Sequence, residues 1–197
     1  MKGFSRRLRV VSVFLSLVVF VLVAYMSASA REMTKKEGVG PTSATQAAAL
    51  RTALNGLLQE HVFLAASATG AALGGRQEEF QAAASALDGN SVDVANAIGS
   101  VYGADAGKVF LPLWRKHIGF VVDYTTGVVT KDKAKQDKAV EDLIAYTKEF
   151  GAFLNSLSPA LPMDTVADLV KTHVLTLKAV IDAQAEGDEA RAYTELR

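Results

Sequence analysis

Three observations in this 197-residue sequence predict an all-α protein, a helical bundle built from repeated helical hairpins. Beyond Ser43 the chain is rich in alanine, leucine and lysine, and strand-like alternation is sparse, a composition that favours helix throughout. Glycine and proline gather at the boundaries between periodic stretches. His61, His117 and His173, the only histidines of the chain, stand 56 residues apart, and a fixed period of that length marks a repeated supersecondary unit. The expected bundle has about five to seven helices, with hairpins as its repeating unit.

The first thirty residues read as a targeting segment. Lys2, Arg6, Arg7 and Arg9 form a positive start, residues 10–30 are uncharged, and Ala28-Ser29-Ala30 is a small-x-small cleavage pattern. The apolar run is longer than the ~7–15 residues usual for a signal peptide and approaches the ~17–25 of a membrane span. The segment is thus a cleaved signal peptide or a retained N-terminal anchor, and either exports the remainder. It would also be the chain's contact with the membrane. Residues 31–43, "REMTKKEGVGPTS", read as a linker, and residues 44–197 as one helical domain. There is no cysteine, so disulfides, thiolate metal sites, a lipid-modified cysteine and a cysteine nucleophile are all excluded. The targeting segment holds four of the 21 Lys+Arg and none of the 21 Asp+Glu, which leaves the exported part at a formal charge of −4. Nucleic-acid binding needs a basic face, so that partner class is not expected.

The elements follow in order. A first helix spans residues 44–73, with Leu50, Leu54, Leu57, His61, Leu64 and Ala68 on one face, and closes at Gly74-Gly75. A short helix over residues 76–87 stops at Asp88-Gly89, and Asn90 or Ser91 caps another that stops at Gly103. A long helix covers residues 105–129 with Phe110, Trp114, His117, Val121, Tyr124 and Val128 on a stripe; Pro112 kinks it or marks its true start. Residues 131–157 form an amphipathic helix with a face of alternating Lys and Asp/Glu, and Val140, Leu143, Ile144 and Phe150 turned inward. Ser158-Pro159 breaks it. The next helix starts after Pro162, turns Val166, Val170, His173, Leu177 and Ile181 inward, and ends at Gly187. A last helix is still running at Arg197, as in a truncated chain or a helix end left in solvent.

The repeat extends beyond histidine. Leu57, Leu113 and Leu169 lie four residues before each one, Val62, Ile118 and Val174 follow directly, and turns fall near Gly75, Lys131 and Gly187. If the intervening helices reverse the chain, the three long helices run parallel and their middle turns share a height. Three imidazoles then converge in one core layer, the way bundles build metal and cofactor sites. Neutral imidazole is the commonest metal ligand and suits zinc, copper or haem iron. His61, His117 and His173 are therefore the candidate metal ligands. The competing reading is three packed core histidines, each bonded to a carbonyl or a nearby acid such as Glu60, Asp123 or Asp182.

Other chemistry finds little support. The positions three before each histidine are Leu58, Trp114 and Val170, so the Glu-x-x-His motif of carboxylate di-iron bundles is missing. No His-Glu-x-x-His occurs. The exported part has only Met33 and Met163, too few for a thioether copper store. "GAALGG" follows a helix, so it is a helix C-cap and no phosphate cradle. No serine sits on a nucleophile turn, and no catalytic residue is assigned. Phe110, Trp114, Phe120 and Tyr124 read as core that can also wall a small pocket. "HVFLAASATGAALGG" is apolar all round and needs cover from the core, a second copy or an envelope protein.

"LLQEHVFLAA", "AIGSVYGADAGKVFLPLWRKHIGFVVDYTTG" and "EGDEARAYTELR" resemble exported helical proteins of spore-forming Gram-positive bacteria. Those proteins often bear the label of a neighbouring copper amine oxidase N-terminal domain-like module. The resemblance covers most of residues 50–197 and implies an exported all-helical domain with His61, His117 and His173 turned inward. It implies no amine oxidation, because the modified tyrosine and histidine ligands of that catalytic domain have no counterpart. It also implies that similar proteins continue beyond Arg197. The expectation is a non-catalytic exported domain that binds a metal ion or haem through the three histidines. The alternative is a structural or interaction module of the cell envelope whose histidines only pack.

Overall fold

The computed structural model describes residues 45–197; the targeting segment and the linker, residues 1–43, lie outside the described residues. Among the described residues six helices pack against one another and no strand occurs. They are α1 (Gln46–Leu73), α2 (Gln77–Tyr102), α3 (Ala104–Val129), α4 (Lys133–Leu157), α5 (Met163–Glu186) and α6 (Glu189–Leu196). None of them is long and apolar enough to cross a membrane.

Connections of a few residues force neighbours to run antiparallel, so α1, α3 and α5 run the same way. These three helices touch one another pairwise. α2 lies against both α1 and α3, α4 against α3 and α5, and α6 against α5. The expected parallel triplet of histidine-bearing helices is therefore the centre of the fold.

The repeat is written in the backbone as well. Left-handed residues close α1, α3 and α5 at Gly75 (φ 66°), Lys131 (φ 56°) and Gly187 (φ 70°), again 56 residues apart. Two of the three are glycine because that region crowds a Cβ. The buried layers match too. Ala65, Val121 and Leu177 are buried, as are Thr69, Thr125 and Ile181, and Ala71, Gly127 and Ala183. The small trio Ala71, Gly127 and Ala183 sits near the C-terminal ends of the three helices.

Two expected boundaries are corrected. Residues 77–102 form one helix, without a break at Asp88-Gly89. Asn90 and Ser91, read as caps, spend their side chains elsewhere. Asn90 Nδ2 donates to Leu57 O (2.9 Å) and Glu60 Oε2 (2.8 Å) on α1, and Ser91 Oγ donates to Leu87 O one turn back (2.8 Å). Packing against α1 and α3 carries the helix through Gly89, at a propensity cost of about 1 kcal/mol. Pro112 neither starts α3 nor breaks it. Its ring is exposed, and Lys108, whose carbonyl loses its helical donor there, is exposed as well.

The amphipathic reading of α4 holds. Lys133 pairs with Asp137, Lys138 with Asp142, and Lys135 reaches Asp123 of α3 at 3.0 Å. Exposed pairs of this kind contribute only tenths of a kcal/mol each. Leu143 and Phe150 are buried, joined by Tyr146 and Leu154.

Helix spacing is set at two crossings. A Cβ on Gly107 would lie 2.7 Å from Ala95 O, and one on Gly151 would lie 2.5 Å from Met163 O. Residues 95 and 107 correspond to 151 and 163 by the same 56-residue step, so both crossings repeat one another. Gly151→Ala is expected to cost about 1–3 kcal/mol, the range for overpacking, read as a lower denaturation midpoint. Gly119→Ala is the control, because a Cβ there meets open space. It should gain about 0.5–1 kcal/mol from helix propensity.

Candidate metal centre

Each histidine lies midway along its helix, on a stripe fixed by Leu57, Leu113 and Leu169 one turn earlier. Because α1, α3 and α5 run the same way and touch, the three rings meet. His61 and His117 are buried, with 2% and 3% exposure. Their Nε2 atoms face each other at 3.4 Å, and their ring centroids are 5.4 Å apart. The His173 ring stands farther off, 6.4 Å from that of His61, and is partly exposed. The three predicted ligands therefore share one neighbourhood, with His61 paired closely to His117 and more loosely to His173. Among the described residues no group of three or more His, Asp or Glu side chains is gathered tightly enough to hold an ion.

The acids expected to partner the histidines are engaged elsewhere. Asp182 accepts from Tyr124 Oη at 2.6 Å and from Lys178 Nζ at 2.6 Å. Asp123 pairs with Lys135, and Glu60 accepts from Asn90. His61 Nδ1 and His117 Nδ1 make no hydrogen bond within normal geometry. Their nearest influences are acceptors: the Asn90 side chain opposes loss of the proton on His61, and the Trp114 backbone does the same for His117.

The orientation of Asn90 follows from its donors. Leu57 O and Glu60 carboxylate can only accept, so the Nδ2 group must face them and Oδ1 must face away. Asn90 Oδ1 is itself without a partner. A proton on Nδ1 of His61 suits that oxygen, and a proton on Nδ1 of His117 suits the Trp114 carbonyl. Both neutral rings then present Nε2 lone pairs to each other.

Charge on this pair is suppressed. Burial, then repulsion from His173, lowers the His61 pKa to about 3. His117 is held well below the ordinary imidazole value, by burial first and then by His61 and His173. Burial also lowers His173. All three are neutral near pH 7, the form that binds a metal ion.

Aromatic rings wall one side. Trp114 lies 4.9 Å from His61 and 4.6 Å from His117, centroid to centroid, and Tyr146 lies 5.1 Å from His117. Phe110 stacks on Trp114 at 5.2 Å. Tyr124, also named as a pocket aromatic, packs in the other core cluster instead, and Phe120 touches both clusters. Trp114 Nε1 and Tyr146 Oη are buried without partners. Burial raises the Tyr146 hydroxyl well above its ordinary pKa, so it keeps its proton. The sequence reading gave Asn90 only as a helix cap and did not name Tyr146. They stand 56 residues apart on α2 and α4, so the histidine period, applied to the second arm of each hairpin, relates them.

On the other side a cavity of about 220 Å³ reaches the two imidazoles. Its lining passes from the exposed Gln77, Val122 and Val129 to the buried His61, His117 and Leu87.

Comparison with protein-family models, curated proteins and solved structures gives no match for this chain.

Proposed function

We propose that this is an exported, non-catalytic helical domain that binds one divalent transition-metal ion, zinc or copper, through His61 and His117, with His173 as third ligand. The Nε2–Nε2 contact of 3.4 Å carries this reading. Two imidazoles on one tetrahedral ion, with bonds of ~2.0–2.1 Å, place their nitrogens roughly 3.4 Å and their centroids roughly 5 Å apart. The observed pair differs little from that. His173 stands farther off, its ring 6.4 Å from that of His61, and must move inward to become a ligand. Neither Nδ1 is hydrogen-bonded; the Asn90 side chain and the Trp114 backbone are the neighbouring groups that would supply the outer contact of a metal-bound histidine, and the cavity offers an access route. Haem fits less well: 220 Å³ falls below even the about 300–1,000 Å³ typical of pockets for drug-sized ligands.

The competing reading takes the same contact as an Nε2–H···Nε2 bond between packed rings of an envelope scaffold. It predicts no ion binding, and metal titration separates the two. Chelator-treated protein is titrated with Zn²⁺ and Cu²⁺ while thermal unfolding is followed. An ion at a hundred times its Kd adds about 2.7 kcal/mol, or roughly 5–11 °C for a domain this size. Failure of both ions to raise the Tm rejects the metal site. A further expectation concerns Asn90. Asn90→Ala should weaken the ion about 10–100-fold, measured by chelator competition, with helix content unchanged.

A further inference from the structure

The three inner helices α1, α3 and α5 form three grooves between them, and the outer helices sit on these in turn. α2 lies on α1 and α3, α4 on α3 and α5, and α6 on α5 and α1. The coverage is unequal: α2 has 26 residues and α4 has 25, while α6 has eight. The two long outer helices fill their grooves with one pattern. Leu87 corresponds to Leu143, Asn90 to Tyr146 and Val94 to Phe150 by the 56-residue step, and all six are buried. The same step relates Ala95 to Gly151, the small residues where each outer helix crosses the following inner one most closely.

Each long outer helix also seals the histidine turn beneath it. Asn90 Nδ2 donates to Leu57 O, one turn before His61, at 2.9 Å. Tyr146 lies 5.1 Å from His117, and Phe150 lies 5.9 Å from Trp114, centroid to centroid. Trp114 and His117 are buried as a result. Their equivalents on α5 are Val170 and His173, and both are partly exposed. Among the described residues no helix lies over them. The short α6 reaches only to the level of Phe63, where Phe63 and Tyr193 share a groove and are 54% and 67% exposed.

We propose that this bare stretch between α5 and α1 is a docking site for an amphipathic helix of another protein, seated antiparallel to both as α2 and α4 are in their own grooves. Helix-in-groove recognition reuses the packing that builds a bundle, and the two filled grooves define the occupant. Its inward face carries an apolar residue, then an amide or aromatic hydroxyl three positions on, over His173. A large apolar residue follows four positions later, over Val170, and a small residue comes directly after it. The small residue is needed because the backbone of α1 at Arg51 stands where that of α5 at Met163 meets Gly151. The site does not depend on a bound ion.

The test uses the full chain, treated with chelator, and a fluorescent synthetic peptide with the sequence of α4, Lys133–Leu157. The chain has no cysteine, so a single introduced one can carry a photo-crosslinker. Thr172→Cys places it beside His173, 56 residues after Lys116, whose ammonium pairs with Glu149 of the seated α4. The expected result is saturable binding by fluorescence anisotropy, with capture of the peptide from Thr172→Cys and none from Lys116→Cys. Phe150→Ser or Gly151→Leu in the peptide should weaken binding at least tenfold, and neither change can unfold the protein. No binding, or equal binding of the altered peptides, overturns the proposal. Capture from Lys116→Cys would mean that the peptide displaces the chain's own α4, which overturns it too. In the absence of peptide, Thr172→Cys should capture nothing. Capture of the chain's own first 43 residues, or of a second copy, would give the groove to that occupant and overturn a foreign helix.

Discussion

The double substitution His61→Leu, His117→Leu is expected to raise the melting temperature of the metal-free protein and to abolish its response to metal. Both imidazoles are buried, and each carries a ring nitrogen with no partner. A buried polar group left unsatisfied costs about 1–3 kcal/mol, and replacing both members of a polar pair by apolar groups is neutral to stabilising. Leucine resembles imidazole in bulk and matches the surrounding Leu87, Val121 and Leu177. The gain of roughly 1–3 kcal/mol corresponds to about 2–12 °C in Tm. His117→Leu alone should gain less, because it leaves the His61 imidazole buried with a nitrogen still unsatisfied. Calorimetry of the three variants, with and without Zn²⁺, checks the pattern. A lower Tm for the double variant would mean that the pair is a satisfied structural element. A core that loses stability in order to hold two naked imidazoles is the usual signature of a binding site.

Acid should unfold the metal-free protein earlier than a cysteine-free bundle of ordinary side chains. The folded-state pKa of His61 lies at about 3, and His117 and His173 are also lowered. In the unfolded chain all three titrate near the ordinary value of about 6.5. Between those limits the unfolded state binds more protons than the folded state, so stability falls as pH falls. The contribution is fully present above about pH 6.5. It is lost on the way down at about 1.4 kcal/mol per pH unit for each histidine that stays neutral in the fold. Urea midpoints at pH 7.5, 6.0 and 5.0 measure the slope. His61→Leu, His117→Leu should flatten it, leaving His173 and the carboxylates. A midpoint constant from pH 7.5 to 5.0 would show that the rings are solvated and protonate freely.

Much of the fold is legible in the sequence, because its signals are local or periodic. Glycines 75 and 187 stop their helices through a backbone angle that few other residues adopt, and Leu113, Trp114 and His117 announce their face by spacing alone. The histidine period places three rings on three equivalent helices, and that suffices to bring them into one layer. Where the reading fails, a distant partner decides. Asn90 has the chemistry of a helix cap, and nothing in its own neighbourhood reveals that Leu57 and Glu60, some thirty residues earlier, hold its amide. Asp182 looks like a partner for His173 until Tyr124 and Lys178 claim it from the side. Tyr146 reads as one more inward residue of an amphipathic helix, and its contact with His117 depends on how α4 packs on α3. The separation of the ring nitrogens depends on rotamers, which no spacing rule reaches. The targeting segment, plain in composition, lies outside the described residues.

The parallel centre of the bundle makes the candidate site a property of the whole assembly. Its three imidazoles come from the opening, middle and closing portions of the described chain, and no single hairpin owns more than one. An ion seated there would act as a rivet through all three units. Amide hydrogens of α1, α3 and α5 would then slow together on metal addition, even in turns far from the rings, and a protein that frays unit by unit when empty would open as one body when loaded.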